Sequence, residues 1–324
     1  MRKCVFAILL VGILVFLTAA QDANKQGKPD EQNKNEPAVE TTNSKTIKVT
    51  SELVNVLFSV FDRKNRMVVD LTKDDVRVVE DGKPQSIQFF SRESDLPLRI
   101  GILIDTSNSV RDRLHFEQEA AIDFLDATMR PGKDQAFVVG FDVEPQIVQD
   151  YTDDEEKLSQ AVRGLRAGGG TALFDALYFS SKGKMLYFPP PEPYLRRVMV
   201  IISDGLDNQS EHTREEALAM AQHAEVIIYA ISTNRSGISS KGDNVLRRLA
   251  HETGGRPFFP FDASDLAENF QEISRELRSQ YSLGYVSTNR AHDGTFRNIN
   301  ILASQKDFQV RAKTGYFAPS PENK

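Results

Sequence analysis

The chain is predicted to be an α/β protein: a doubly wound, mostly parallel sheet flanked by amino- and carboxyl-terminal β segments that form one small β-sandwich. Three observations support this. Ile100–Ile104 and Val198–Ile202 are unbroken apolar runs of strand length, the pattern of strands buried on both faces. Helical patterns alternate with such strands from about residue 96 to 279, which implies a parallel sheet covered by helices. On either side, residues 46–95 and 280–318 are alternating and β-branched.

The first twenty residues are set apart from the fold. Arg2 and Lys3 precede an apolar stretch from Val5 to Leu17, followed by Thr18-Ala-Ala20, the layout of a secretory signal peptide cut before Gln21. An uncleaved membrane anchor is the competing reading. Cleavage removes Arg2, Lys3 and the single cysteine, Cys4, taking the formal net charge from -6 to -8 and leaving no thiol. A secreted or periplasmic location follows, with membrane attachment only if the segment is retained. Residues 21–45 have no aromatic and almost nothing apolar, so they cannot bury enough surface to offset their ordering entropy and are read as a tether.

In the first β segment, Leu53–Phe61, Met67–Val69, Val76–Val79 and Ile87–Phe90 read as strands, with Asp62–Arg66 and Asp81-Gly82 as turns. Pro97 then opens the α/β region. After Leu98–Ile104 come a helix from Arg111 to Met129, a strand Gln135–Phe141, and a short antiparallel edge strand Gln146–Val148. A helix spans Glu155–Leu165, with Asp153–Glu156 as its starting charges. Gly168-Gly-Gly170 breaks the pattern, Thr171 begins another helix, and Pro189–Pro193 marks a surface loop. Arg197–Ile202, Val226–Ile231 and Phe258-Phe259 are strands, with helices over Thr213–His223, Val245–Thr253 and Leu266–Leu277. The tail supplies Tyr281–Val286, Arg297–Leu302 and Phe308–Arg311, a turn at Asp293-Gly294, and an end segment 319–324. The α/β region is thereby expected to be inserted between two halves of one sandwich.

The two most hydrophobic strands should be central neighbours, and each ends in an aspartate, Asp105 and Asp204. Ligands of a doubly wound sheet bind at the carboxyl ends of strands where the strand order reverses. Two facing carboxylates there repel unless a proton or a cation lies between them. Ser107 and Ser109 add hydroxyls on the turn after Asp105, and Thr171 adds another from the glycine-freed loop. Hard oxygen donors with little charge suit Mg²⁺, with Mn²⁺ as a substitute, better than Zn²⁺. Neutral hydroxyls leave such an ion electrophilic, ready to take a carboxylate from a partner. Whether Asp204 binds directly or through water is left open.

The residues resemble a known family. Asp105-Thr-Ser107-Asn-Ser109, Gly169-Gly-Thr171 and Ile202-Ser-Asp204-Gly are similar to the three loops of the metal-ion-dependent adhesion site of von Willebrand factor type A (VWA) domains. The resemblance covers about residues 97–279. Asp81-Gly-Lys-Pro-Gln85, Tyr281-Ser-Leu-Gly-Tyr285 and Gly315-Tyr-Phe317 further resemble a secreted bacterial group of VWA-related proteins. The VWA resemblance implies Mg²⁺-dependent binding of an Asp or Glu on a protein partner, and movement of the last helix on binding, which the β tail would feel.

Blander readings compete at each position. Asp105, Ser107, Ser109 and Thr171 could merely cap strand ends and helix starts; ligation is preferred because Thr171 and Asp204 arrive where the fold needs them. Asp142, Asp175 and Asp207 are read as surface or helix-start charges rather than supports of the site. The five histidines, His115, His212, His223, His251 and His292, show no ligand spacing and are read as surface or structural. Phe258-Phe259 is read as core. Gly168-Gly-Gly170 lacks the lysine of a phosphate loop. A Mg²⁺-dependent phosphatase would need an acid where Ser107 stands, so no enzymatic role is expected. A structural envelope scaffold, in which the metal only stabilises the domain, is the alternative. The mixed charge argues against nucleic acid.

Overall fold

The structure, a computed structural model, describes residues 53–320 apart from 94, 188–194 and 235–237. The signal, tether and Pro189–Pro193 readings lie outside the described residues. Among the described residues, no helix is long and apolar enough to cross a membrane.

Strands β1 (Leu53–Phe61), β2 (Val76–Glu80), β3 (Lys83–Gln85) and β4 (Ile87–Glu93) open the chain. Between β2 and β3, Asp81 and Gly82 have φ of 45° and 79°. That is the left-handed pair a two-residue hairpin turn requires, and the Asp-Gly signal is realised. Met67–Val69 is not a strand. Only Met67 bridges to Phe61, while Asp62 accepts the amides of Lys64 and Arg66 and folds the turn tightly. β3 was unanticipated because Pro84 sits in it; as an edge strand it can do without that amide.

The α/β body runs β5 (Leu98–Asp105), α1 (Leu114–Thr128), β6 (Gln135–Phe141), β7 (Pro145–Thr152), α2 (Glu155–Gly164), α3 (Leu173–Ser180), β8 (Arg196–Ser203), α4 (Arg214–His223), β9 (Val226–Ser232), α5 (Lys241–Glu252), β10 (Pro257–Phe258) and α6 (Ala263–Leu277). The sheet order is β10-β9-β8-β5-β6-β7, parallel except for β7. β5 and β8 are therefore central neighbours, and the order reverses between them. Ile100, Ile102 and Ile104 pack one face against α1 and α6, while Leu103 packs the other with α3. Both faces are covered, so the run is apolar throughout, each large aliphatic side chain contributing about 1.5–3 kcal/mol.

Several boundaries differ from the sequence reading. α5 starts at Lys241, not Val245, because Ser240 and Asp243 form a reciprocal capping box. α3 starts at Leu173 with Ala172 as its N-cap, so Thr171 lies outside it and does not cap it. β7 extends well beyond Gln146–Val148. Phe258 is buried, but Phe259 is 40 % exposed under the Arg247 guanidinium and is not core.

The tail forms β11 (Gln280–Val286), β12 (Phe296–Ala303), β13 (Gln309–Ala312) and β14 (Gly315–Phe317). It completes two four-stranded sheets, β13-β1-β11-β4 and β14-β12-β2-β3. Val56, Phe58, Leu283 and Tyr285 of one sheet meet Val76, Val78, Ile299 and Ile301 of the other in a single core. Within it, the buried Glu80 carboxylate accepts from Tyr285 Oη at 2.8 Å, Tyr316 Oη at 3.0 Å and Ser287 Oγ, with Arg297 at 3.8 Å. Burial, then the Glu80 acceptor, push the Tyr285 hydroxyl far above its ordinary range. Removing one donor leaves a buried acceptor short, so Tyr285→Phe should destabilise by about 1–3 kcal/mol in urea unfolding.

Sandwich and α/β body are joined by buried charge. Only Arg278 and Ser279 separate α6 from β11. Glu276 of α6, 2 % exposed at its side chain, pairs with Arg311 of β13 at 3.0 Å. The Arg196 guanidinium donates to the carbonyls of Leu277 and Glu93, tying the carboxyl end of α6 to the end of β4. Burial lowers Arg196 to about 10.

Candidate functional site

At the carboxyl end of β5, Asp105 is 0 % exposed. Its Oδ1 accepts the Ser107 amide at 2.9 Å and its Oδ2 accepts Ser203 Oγ at 2.7 Å. The same Ser203 oxygen takes the Gly205 amide at 3.0 Å. One hydroxyl thus fixes both the carboxylate and the turn that carries Asp204. Ser107 and Ser109 face each other, Oγ to Oγ 2.8 Å. Ser107 is the N-cap of the short turn Asn108–Val110 but makes no side-chain cap, so these hydroxyls are not consumed in starting the helix. Asn108 points away, donating to Gly169 O at 3.2 Å and accepting from Arg111 at 2.7 Å.

The glycine loop is sewn between the other two loops. Gly168 N donates to Thr106 O at 2.7 Å and Asn108 N to Gly169 O at 3.3 Å. On the far side, Asn208 Oδ1 takes the Thr171 amide at 2.9 Å, and Asn208 and Gln209 amides donate to Thr171 O at 3.0 and 3.1 Å. Thr171 is buried, Asp204 half-buried and Ser109 exposed, so the oxygens run from the sheet end out to solvent. Asp204 Oδ1 accepts the Leu206 amide at 2.9 Å.

The electrostatics are one-sided. Burial raises the Asp105 carboxyl above the usual carboxylate range despite the hydrogen bonds from Ser107 and Ser203, and the Asp204 charge pushes the same way. The largest influences beside burial are the Ser107 and Ser203 hydroxyls, the Ser107 amide and the Asp204 carboxylate, and among the described residues Asp105 makes no ion pair. Among the described residues, no group of three or more His, Cys, Asp or Glu converges. Any ion here would be held largely by hydroxyls.

Supporting residues were missed or misjudged in the sequence. Ser203, hidden at the end of an apolar strand, and Asn208 gave no periodic signal. Asp175 stands in the first turn of α3, as a helix-start charge does, but it is buried rather than on the surface: it accepts the amides of Glu211 and His212 at 3.0 and 2.9 Å and His212 Nδ1 at 2.7 Å. His212 stacks on Tyr178 at 3.8 Å, a structural role. Asp207 does serve a helix start, but that of α3, accepting Phe174 N at 3.0 Å from a distant loop. Asp142 is half-buried and accepts the amide of Val143.

The Asp204 turn also needs two glycines. Gly205 has φ of 76°, and a Cβ on Gly242 would lie 2.0 Å from Asp204 O. Gly242→Ala should displace this turn, cost about 1–3 kcal/mol in thermal unfolding, and weaken any ligand binding that depends on Asp204.

The fold and site define an open, doubly wound α/β domain with an oxygen-lined crevice at its topological switch point. The family model of the von Willebrand factor type A domain matches residues 100–276, and the chain belongs to that family. Among solved structures, a von Willebrand factor type A protein from Catenulispora acidiphila is 12 % identical, with 85 % of this chain and 76 % of that one covered and a TM-score of 0.48. An aerotolerance-related membrane protein from Bacteroides fragilis is 16 % identical, covering 56 % of this chain and 98 % of that one at a TM-score of 0.46. Proximal thread matrix protein 1 from the mussel byssus, solved with a zinc-occupied metal-ion-dependent adhesion site, is 17 % identical, covering 62 % and 50 % at 0.48. No curated protein sequence matches the chain.

Proposed function

We propose that the chain is an extracytoplasmic binding module that grips an Asp or Glu of a protein partner through a divalent cation, Mg²⁺ or Mn²⁺. Ser107, Ser109 and Thr171 would hold the ion by their hydroxyls, with Asp105 and Asp204 supplying charge directly or through water. VWA domains are protein-interaction modules, which supports a binding role over an enzymatic one. The observation that carries the reading is the Asp105 carboxylate: wholly buried, under the influence of the Asp204 carboxylate, close to a pair of facing hydroxyls, and making no ion pair among the described residues. Burying such a charge without compensation is costly, and a divalent ion is the compensation that oxygen donors fit. When bound, the ion supplies a Lewis-acidic position for an incoming carboxylate. This chain's residues fix the site around it: Ser203 and the Ser107 amide orient Asp105, and Asn208 orients Thr171.

The signal-peptide layout of residues 1–20 supports placement outside the cytoplasm. The test is retention of envelope proteins on the immobilised full chain. Mg²⁺-dependent retention that disappears with chelator and in Asp105→Asn is expected. Equal retention by both proteins would instead favour the scaffold reading, in which the sandwich carries the interaction.

A further inference from the structure

A groove of about 430 Å³ opens beside the three loops. Its lining is mixed, and its apolar side comes from Val143 of the β6–β7 connection, Pro145 and Ile147 of β7, and Phe179 of α3. Val143, Ile147 and Phe179 are 52, 50 and 49 % exposed. Single exposed apolar side chains are ordinary, but three converging on one concavity offer a slot for an apolar side chain. The rim is acidic. Glu144 and Glu211 are exposed and make no ion pair among the described residues, whereas Asp175, deeper in, is engaged by His212. The groove is continuous with the candidate site. Val143 Cγ1 lies 3.1 Å from where a Gly169 Cβ would stand, and Gln209, another lining residue, donates its amide to Thr171 O at 3.1 Å.

We propose that this groove seats the residues flanking the partner's acidic group: a large apolar side chain between β7 and α3, and a Lys or Arg facing Glu144 and Glu211. It rests on the reading that the acid itself binds at the hydroxyl loops. Charge complementarity makes the surface selective. An apolar slot alone accepts many side chains, but unpaired carboxylates at its rim repel acidic flanks and attract basic ones. The module therefore selects a lone carboxylate within a basic, apolar segment and rejects a polyacidic stretch, although the cation alone would favour the latter.

The test is an array of short peptides, each with one central Asp and flanks of Lys, Glu, Phe, Leu or Ser, probed with labelled full chain in Mg²⁺ and again in chelator. Flanks combining Phe or Leu with Lys should be preferred about tenfold over Glu flanks. Glu144→Lys with Glu211→Lys should invert the charge preference, and Phe179→Ser should remove the apolar preference alone, with circular dichroism confirming that each variant folds. Chelator-sensitive binding that ignores the flanks overturns the groove and leaves the cation reading intact. Binding that obeys the flanks but is indifferent to chelator and to Asp105→Asn supports the groove and overturns the cation reading. A groove filled by a second copy of the chain would show as concentration-dependent dimerisation abolished by Phe179→Ser with no flank preference, and that result, or no retained peptide, overturns the proposal.

Discussion

Asp105→Asn should lower Mg²⁺ affinity, and Mg²⁺-dependent partner retention, by at least about a hundredfold while the chain stays folded. Substitution of residues that merely orient a metal ligand costs about ten- to a hundredfold, so loss of a charged donor sets that as a floor. The isosteric amide is chosen because it preserves the local hydrogen bonding. Its oxygen can still accept the Ser107 amide, and its nitrogen can donate to Ser203 Oγ, which rotates to accept. Folding is therefore disturbed little, and the neutral side chain no longer opposes desolvation in a site without a compensating cation. Isothermal calorimetry reads the affinity and urea unfolding reads the fold. A variant that retains wild-type Mg²⁺ affinity would remove Asp105 from the site.

Arg311→Ala should destabilise the protein by about 3–5 kcal/mol, the ordinary cost of leaving one partner of a buried ion pair alone. Glu276 is 2 % exposed at its side chain, and α6, β1 and β13 enclose it. Burial raises its carboxyl above the usual range; Arg311, the Ser59 hydroxyl and Arg256 pull the other way without prevailing. A raised folded pKa means that, between the unfolded value and the folded one, the native state holds the proton and the unfolded state does not. The stability this contributes is complete below the unfolded value and is lost as pH rises through the folded one. Without Arg311 the carboxyl rises further, so the deficit of the variant should shrink on acidification. Urea unfolding midpoints against pH check this; a deficit that does not change with pH would mean that Glu276 is already neutral in the wild type.

The architecture was legible because burial leaves a strong pattern. β5 and β8 carry unbroken apolar runs, Ile100–Ile104 and Val198–Ile202, since helices cover both faces, and the β tail alternates because its strands cover one face of a sandwich. The Asp81-Gly82 turn was legible from backbone chemistry alone. What escaped was set by distant contacts. Met67–Val69 has strand composition but lost its ladder to the side-chain-folded turn at Asp62. Lys241 begins α5 through a cap that hydrophobic spacing does not register. The oxygens Asp105, Ser107, Ser109, Thr171 and Asp204 could be read from the sequence as ends of strands and loops. The residues that hold them, Ser203, Asn208 and Gly242, could not, because each acts across a fold-dependent approach between loops.

The cation at the end of β5 and β8 is tested most directly by titrating Mg²⁺ or Mn²⁺ into the purified, chelator-treated full chain in a calorimeter. The account predicts saturable uptake of about one ion per chain, lost in Asp105→Asn. No uptake at millimolar cation, or uptake unchanged in that variant, would contradict it.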